Sequence, residues 1–299
     1  MFRAAFISMF LTSAALADTW TVDDDGKADF NSIQAAVDAA SDGDEIIVSP
    51  GTYTSTTNPV VDMKGKIITL RSSGGPDVTI INGDGSRQGI HCLMAETAET
   101  VIDGFTVTNA SEFWGGGINI NNSSPTIMNC IISDNSAVRG AGICIRGTDA
   151  TYNTAPTFRY CTISSNDASN GSIYCDNISA LFENCQITNN TASFGGGMFV
   201  TNTNLTLTDS VISHNTANNV GGLNIWSNTI ANISNCIISN NTAVWGGGIG
   251  AYYDSDLTLT DCTLSDNTAV LSGGGLQFQG ITATITNCVI TNCVVKESS

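Results

Sequence analysis

Three sets of side chains in this sequence could do chemistry. The first is a carboxylate pair, Asp254 and Asp256, in the stretch Tyr252-Tyr253-Asp254-Ser255-Asp256. Two carboxyl groups ~5–5.5 Å or ~6.5–9.5 Å apart can cleave a glycosidic bond, one as acid and the other as nucleophile or base. The second set is Arg146 with Asp176, a cationic base candidate next to a carboxylate. The third is ten cysteines, six of them at near-constant intervals. Thiols can pair as disulfides or bind metal. The two histidines, His91 and His214, have no partner in the sequence that would complete a triad. The Asp254/Asp256 pair also suits a turn, because Asp bonds its own backbone and tolerates left-handed geometry. That is the reading the sequence favours.

Which of these groups can meet depends on the elements that carry them, and a repeat dominates those elements. Leu257–Leu276, LTLTDCTLSDNTAVLSGGGL, is one copy. Two apolar residues alternate, then come Asn or Asp, Cys, a large aliphatic, Asn-Thr-Ala, a spacer and glycines. The Cys slot holds Phe105, Cys130, Cys161, Cys185, Ser210, Cys236, Cys262 and Cys288, at steps of 25, 31, 24, 25, 26, 26 and 26 residues. A fixed period of this size marks a solenoid. The fold predicted is all-β: a single-stranded right-handed parallel β-helix with coils of about 25 residues and an N-terminal capping helix. Each coil is read as three short strands. In the last full coil Leu257, Leu259, Cys262, Leu264, Leu276 and Phe278 point inward.

Slot by slot, most of the conspicuous residues are structural. Two positions after Cys stand Ile132, Ile163, Ile187, Ile212, Ile238, Leu264 and Ile290, a core stack. Five positions after it stand Asn135, Asn166, Asn190, Asn215, Asn241 and Asn267, expected to tolerate left-handed backbone and to bond coil to coil. The six in-line cysteines are read as buried small hydrophobes, because parallel in-register Cβ vectors disfavour the disulfide dihedral. One sulfur per coil makes no converging metal cluster, so no metal site is expected. The spacers are short. The one enlarged coil carries the insertion Gly147–Ala155.

Three regions result. Residues 1–17 read as a signal peptide, with Arg3, an apolar run and Ala15-Leu16-Ala17. Residues 18–100 hold the cap and first coils. They comprise strands at Asp18–Val22, Ile46–Val48, Ile67–Leu70 and Val78–Ile81, and a helix over Phe30–Ala40 whose Ile33, Ala36, Val37 and Ala40 share a face. Residues 101–299 are the regular coils. No second capping helix is found, so the C-terminal end is expected to be covered by self-association or by another protein segment.

What remains for function is the strand after the glycines. Alternation puts Asn119, Asn121, Arg146, Tyr174, Asp176, Phe199, Asn224, Trp226, Tyr252, Asp254, Gln277 and Gln279 outward. Trp114, Phe194 and Trp245, just before the glycines, border the same face. Aromatic faces stack on sugars and amides match hydroxyls, so these residues are ligand-binding candidates for a saccharide. Asp176 lies three coils from Asp254, roughly 14 Å at strand spacing, too far to cooperate.

Asp23–Thr54 resembles the N-terminal entry of the pectin-lyase-like right-handed parallel β-helix families, on Ile33, Ala36, Ala40, Gly43, Asp44, Pro50, Gly51 and Tyr53. The coils, with Asn241-Thr242-Ala243 and Gly246–Ile249, are similar to polymorphic outer-membrane-protein repeats. The resemblance implies the fold and a groove beside the strand after the third bend. That fold hosts lyases, hydrolases, esterases and adhesins. A pectate lyase would need an Arg or Lys base beside Asp-bound Ca²⁺, for which Arg146 and Asp176 are the nearest match, and an ion pair explains them equally well. Two stretches a pectin methylesterase needs, Gln-Asp and Arg-Pro-Trp, are missing from the repeats.

Lys plus Arg number 10 against 27 Asp plus Glu, a formal charge of −17. Nucleic acid is therefore excluded as a partner, and anionic lipid is disfavoured. After residue 17 no apolar run reaches the length of a membrane span. The sequence reads as an exported protein, secreted or at the cell surface. It is read as a non-catalytic module for adhesion or contact with polysaccharide or cell-surface glycan, with no cofactor. The alternative is a polysaccharide lyase or glycoside hydrolase, with Ca²⁺ if a lyase. A minor alternative is ice binding, on the outward pairs Thr206/Thr208, Thr258/Thr260 and Thr284/Thr286, an array interrupted by Met128, Arg159, Leu181 and Glu183.

Overall fold

The computed structural model describes residues 17–148 and 155–296, which form one parallel β-solenoid. The proposed signal peptide therefore lies almost wholly outside the described residues, as does most of the 147–155 insertion. One strand per coil runs through a ten-stranded sheet from Gly51–Tyr53 to Val289–Thr291. Among the described residues no helix is long and apolar enough to cross a membrane.

A regular coil has four strands rather than three. Ile118–Asn121, Thr126–Met128, Ile131–Ser133 and Ser136–Arg139 make one turn. The additional strand lies in what the sequence presents as a spacer. Its inward residue is only an alanine: Ala168, Ala192, Ala217, Ala243 and Ala269 are all buried. One small side chain per strand leaves little alternation to read. In the last coils two strands merge into the long runs Ile249–Thr260 and Leu276–Thr286.

The stacked slots hold the coils together. Ile132, Ile163, Ile187, Ile212, Ile238 and Leu264 are fully buried. Each ladder asparagine from Asn135 to Asn241 donates its Nδ2–H to a carbonyl of the preceding coil and to the Oδ1 of the next Asn, and Asn267 ends the row on Cys293 Sγ at 3.7 Å. Asn190 Nδ2 reaches Ile163 O at 2.9 Å and Asn215 Oδ1 at 3.0 Å. Asn215 Oδ1 also accepts the backbone N–H of Asn190 at 2.9 Å. The left-handed residue is the one before each ladder Asn, as at Asp134, Asn189, His214 and Asp266, with φ of 57°, 58°, 56° and 55°. The ladder asparagines themselves need ordinary backbone, since their amides are committed sideways.

The cysteine slot packs and also donates. Cys236 Sγ bonds Ser234 O at 3.1 Å, and Ser210 Oγ makes the equivalent bond to Thr208 O at 2.7 Å. A serine substitutes there because the slot asks for a small donor. All ten cysteines are free thiols.

The N-terminal helix α1 spans Ile33–Ala39. It is shorter than the sequence suggests, because Phe30 is used as a bridge to Val22 and Ser32 is the N-cap, accepting from Ala35 N–H at 3.3 Å. Ile33, Ala36 and Val37 are buried against the first coil. Lys66 Nζ closes the other end on the carbonyls of Val37, Asp38 and Ala40. Among the described residues no helix or strand covers the opposite end of the solenoid. In the last described coil Ile285, Val289, Ile290, Val294 and Val295 are 43–52% exposed. Ile290 holds the core slot yet is 45% exposed.

Candidate functional site

The strand after the glycines and the strand before them meet at a sharp corner. The first glycine of each set is left-handed, as at Gly115 and Gly246, with φ of 62° and 66°. The third admits no side chain: a Cβ on Gly248 would lie 2.5 Å from Gly275 O. This tight turn brings Trp114, Arg139, Asn219 and Trp245, all in one register row, against the outward residues of the next strand.

Those outward residues form two rows. The inner row is His91, Asn119, Cys144, Tyr174, Phe199, Asn224, Gly250 and Gln277. The outer row is Asn121, Arg146, Asp176, Thr201 and Trp226. Tyr252 and Gln279 pair one step further on in the outer row. The sequence predicts outward placement for Asn119, Tyr174, Asn224 and Tyr252, and outward they are, but they are not exposed. Their exposures are only 6%, 4%, 1% and 7%. The corner and the large side chains of the same rows close over them.

The aromatic residues make a continuous stripe. Trp114 lies 6.0 Å from Tyr174, Tyr174 5.7 Å from Phe199, and Phe199 6.3 Å from Trp226, centroid to centroid. Trp226 then meets Tyr252 at 5.4 Å and Tyr253 edge-on at 4.6 Å. Phe194 is exposed beside it. Two arginines sit on its first ring. Arg139 and Arg146 place their guanidinium carbons 4.6 Å and 4.1 Å from the Trp114 centroid. Arg139 also donates to Tyr174 Oη at 3.4 Å, and Arg146 to Asn119 Oδ1 at 3.4 Å. Burial pushes the Tyr174 phenol well above its usual range and the Tyr252 phenol to about 12, so both stay neutral hydrogen-bonding groups.

The charged candidates come out differently from the expectation. Arg146 and Asp176 are register partners one coil apart, but they form no ion pair. Asp176 instead accepts from Tyr174 Oη at 3.3 Å and Asn202 Nδ2 at 3.5 Å. The planar guanidinium gains more by lying on an indole that it partly desolvates than by reaching a solvated carboxylate. The residues also fit Ca²⁺ poorly, because Asp176 has Arg146 and Thr201 as its neighbours and no second carboxylate beside it. Asp254 and Asp256 are both exposed, on either side of buried Ser255. Tyr253 and Asp254 are left-handed, with φ of 52° and 54°, and Ser255 Oγ ties the turn to Tyr252 O at 2.8 Å. That is turn geometry.

Gln277 and Gln279 lie at the far end of the stripe, lining a pocket with Trp226, Trp245, Tyr252 and Tyr253. His91 is half-buried at the near end, its imidazole pKa held below the usual value by burial, and its Nε2–H donates to Gln88 Oε1. Arg139, Cys144, Tyr253 and Gly250 belong to the cleft and are absent from the sequence-based set. Arg139 was within reach of sequence reasoning, since it occupies the Trp114 slot one coil later. The Thr-x-Thr pairs are in register from Thr258/Thr260 to Thr284/Thr286, but Asn232 and Ser234 replace threonine between them and Thr206/Thr208.

Residues 141–298 match the family model described as right handed beta helix region. No curated protein matches the chain. Solved structures similar in fold include a rhamnogalacturonan lyase, at 11% identity and TM-score 0.49, covering 91% of this chain and 87% of that one. A pectin methylesterase from Aspergillus niger gives 13% identity and TM-score 0.46, covering 93% and 87%. One from carrot gives 13% identity and TM-score 0.43, covering 93% and 84%.

Proposed function

The chain belongs to the right-handed β-helix family, and on that premise we propose that it is an exported, non-catalytic surface or extracellular module that contacts glycans along the stripe from Trp114 to Tyr253. One observation carries the reading: a run of six aromatic rings, each within 6.3 Å of the next, lines a corner studded with amides. Such a surface offers stacking to the apolar faces of successive sugars and hydrogen bonds to their hydroxyls. Catalysis finds less support. Arg146 is engaged with Trp114, Asp176 with Tyr174 and Asn202, and the Asp254/Asp256 pair sits in an exposed turn.

The test is a glycan array combined with reducing-end and unsaturated-product assays. Binding without turnover, unaffected in kind by replacing Asp254, supports the proposal. Turnover of any polysaccharide overturns it in favour of a lyase or hydrolase. The proposal extends to the exposed apolar end coil, read as a contact for a second protein chain. A monodisperse monomer at high concentration in sedimentation would overturn that part.

A further inference from the structure

The inner outward row has one gap. Every position from His91 to Gln277 carries a side chain except Gly250, which stands between Asn224 on the coil before and Gln277 on the coil after. Val220 and the Tyr252 ring lean into the gap: a Cβ built on Gly250 would lie 2.4 Å from Val220 Cγ2 and 2.8 Å from Tyr252 Oη. Beside it is a pocket of about 250 Å³. Trp226, Trp245, Tyr252 and Tyr253 form its aromatic walls, and Asn219, Gln277 and Gln279 supply amides. No charged side chain lines it.

The residues flanking the gap hold polar atoms without partners. Asn224 is 1% exposed, yet neither its Nδ2 nor its Oδ1 makes a hydrogen bond. Gln277 Oε1 is buried and equally unpaired. Elsewhere the buried amides of this protein are fully used, as the asparagine ladder shows. Buried polar atoms left unpaired are rare and unfavourable, and Gln277, the owner of one of them, lines the pocket. A group that satisfies Gln277 Oε1 must donate, as a hydroxyl does, and must present an apolar face to indole and phenol rings.

We propose that this pocket is a subsite for one neutral sugar residue, held by stacking on Trp226 and Tyr253 and by the amides of Gln277 and Gln279. The proposal rests on the glycan reading of the stripe and narrows it to uncharged sugars. A uronate carboxylate would find no cation here and would enter a chain of formal charge −17. The arginines of the cleft are at the other end, where Arg146 is three coils from Trp226, about 14 Å at the spacing of stacked strands.

The experiment is titration calorimetry, with tryptophan fluorescence in parallel, using cello-, manno- and xylohexaose against oligogalacturonate and oligoguluronate of the same length. At least one neutral hexaose is expected to bind and to change the tryptophan emission, and the uronates are not. Gln277→Leu and Trp226→Ala should each weaken the neutral ligand by about tenfold or more, while Arg159→Ala, outside the cleft, should not. A uronate that binds more tightly than every neutral hexaose overturns the subsite and leaves the glycan reading standing. So does neutral binding that survives both cleft substitutions in protein with an unchanged thermal midpoint. Binding of none of the five overturns both.

Discussion

Arg146 lies flat against Trp114, its guanidinium carbon 4.1 Å from the ring centroid, and turns away from Asp176, its register partner one coil on. Arg139 shares the same indole at 4.6 Å. The corner of the solenoid is thus pinned by two cations on one aromatic ring.

Trp114→Ala should therefore destabilise the protein by about 1–4 kcal/mol in urea unfolding, from two stacking contacts of ~0.5–2 kcal/mol each. Asp176→Asn should cost under ~0.5 kcal/mol, because no ion pair is lost. The opposite ranking would mean that Arg146 pairs with Asp176 in solution.

Asn215→Ala removes the acceptor of two buried donors, Asn190 N–H and Asn190 Nδ2–H. At ~1–3 kcal/mol for each group left unpaired, a loss of about 3 kcal/mol or more is expected. Thr216→Ala, an exposed neighbour, should change stability by under ~0.5 kcal/mol. Equal thermal midpoints for the two variants would contradict the ladder.

The thiols should divide by position. Burial pushes Cys130 and Cys144 up to about 12, so they stay protonated as well as shielded. Cys288 and Cys293 are partly exposed in the last coils. Iodoacetamide at pH 8, read by peptide mass spectrometry, should label Cys288 and Cys293 first and leave Cys130 and Cys144 unmodified until the protein unfolds.

Asp44 fastens the N-terminal cap, accepting from Ser41 N–H, Asp18 N–H and Trp20 Nε1–H at 2.8, 2.8 and 3.0 Å. These bonds, the backbone ones foremost, hold its carboxyl below the usual value. A lowered folded pKa gives stability that is complete above the unfolded value of ~3.9 and lost as pH falls through the folded one. Amide-exchange protection at Trp20 and in α1, taken relative to the intrinsic rate at each pH, should therefore fall below about pH 4. Asp44→Asn should exchange faster at neutral pH and lose most of that acid response.

The period, the inward slots and the asparagine ladder were all legible in the sequence. Each coil repeats one environment, so residue type recurs wherever the environment is strict: Ile132 to Leu264 in the core, Asn135 to Asn267 in the ladder. The capping helix was legible from its apolar face, though not its first turn, which Phe30 gives up to bridge Val22. The fourth strand was hidden because Ala168 and its equivalents offer one small inward residue each.

The cleft was legible only as a set of outward positions. Alternation along a strand says which face a side chain leaves from, and it says nothing of what folds over that side chain afterwards. Asn119, Tyr174 and Asn224 leave the outer face and end up buried, because the glycine corner folds the preceding strand against them. Arg146 has Asp176 beside it in register and Trp114 only across the corner, and the stacking contact wins. The sequence by itself determined the solenoid, since a repeated chain repeats its contacts from coil to coil. Only the tertiary structure decided the site, since its contacts cross the corner between two strands, where spacing along the chain carries no information.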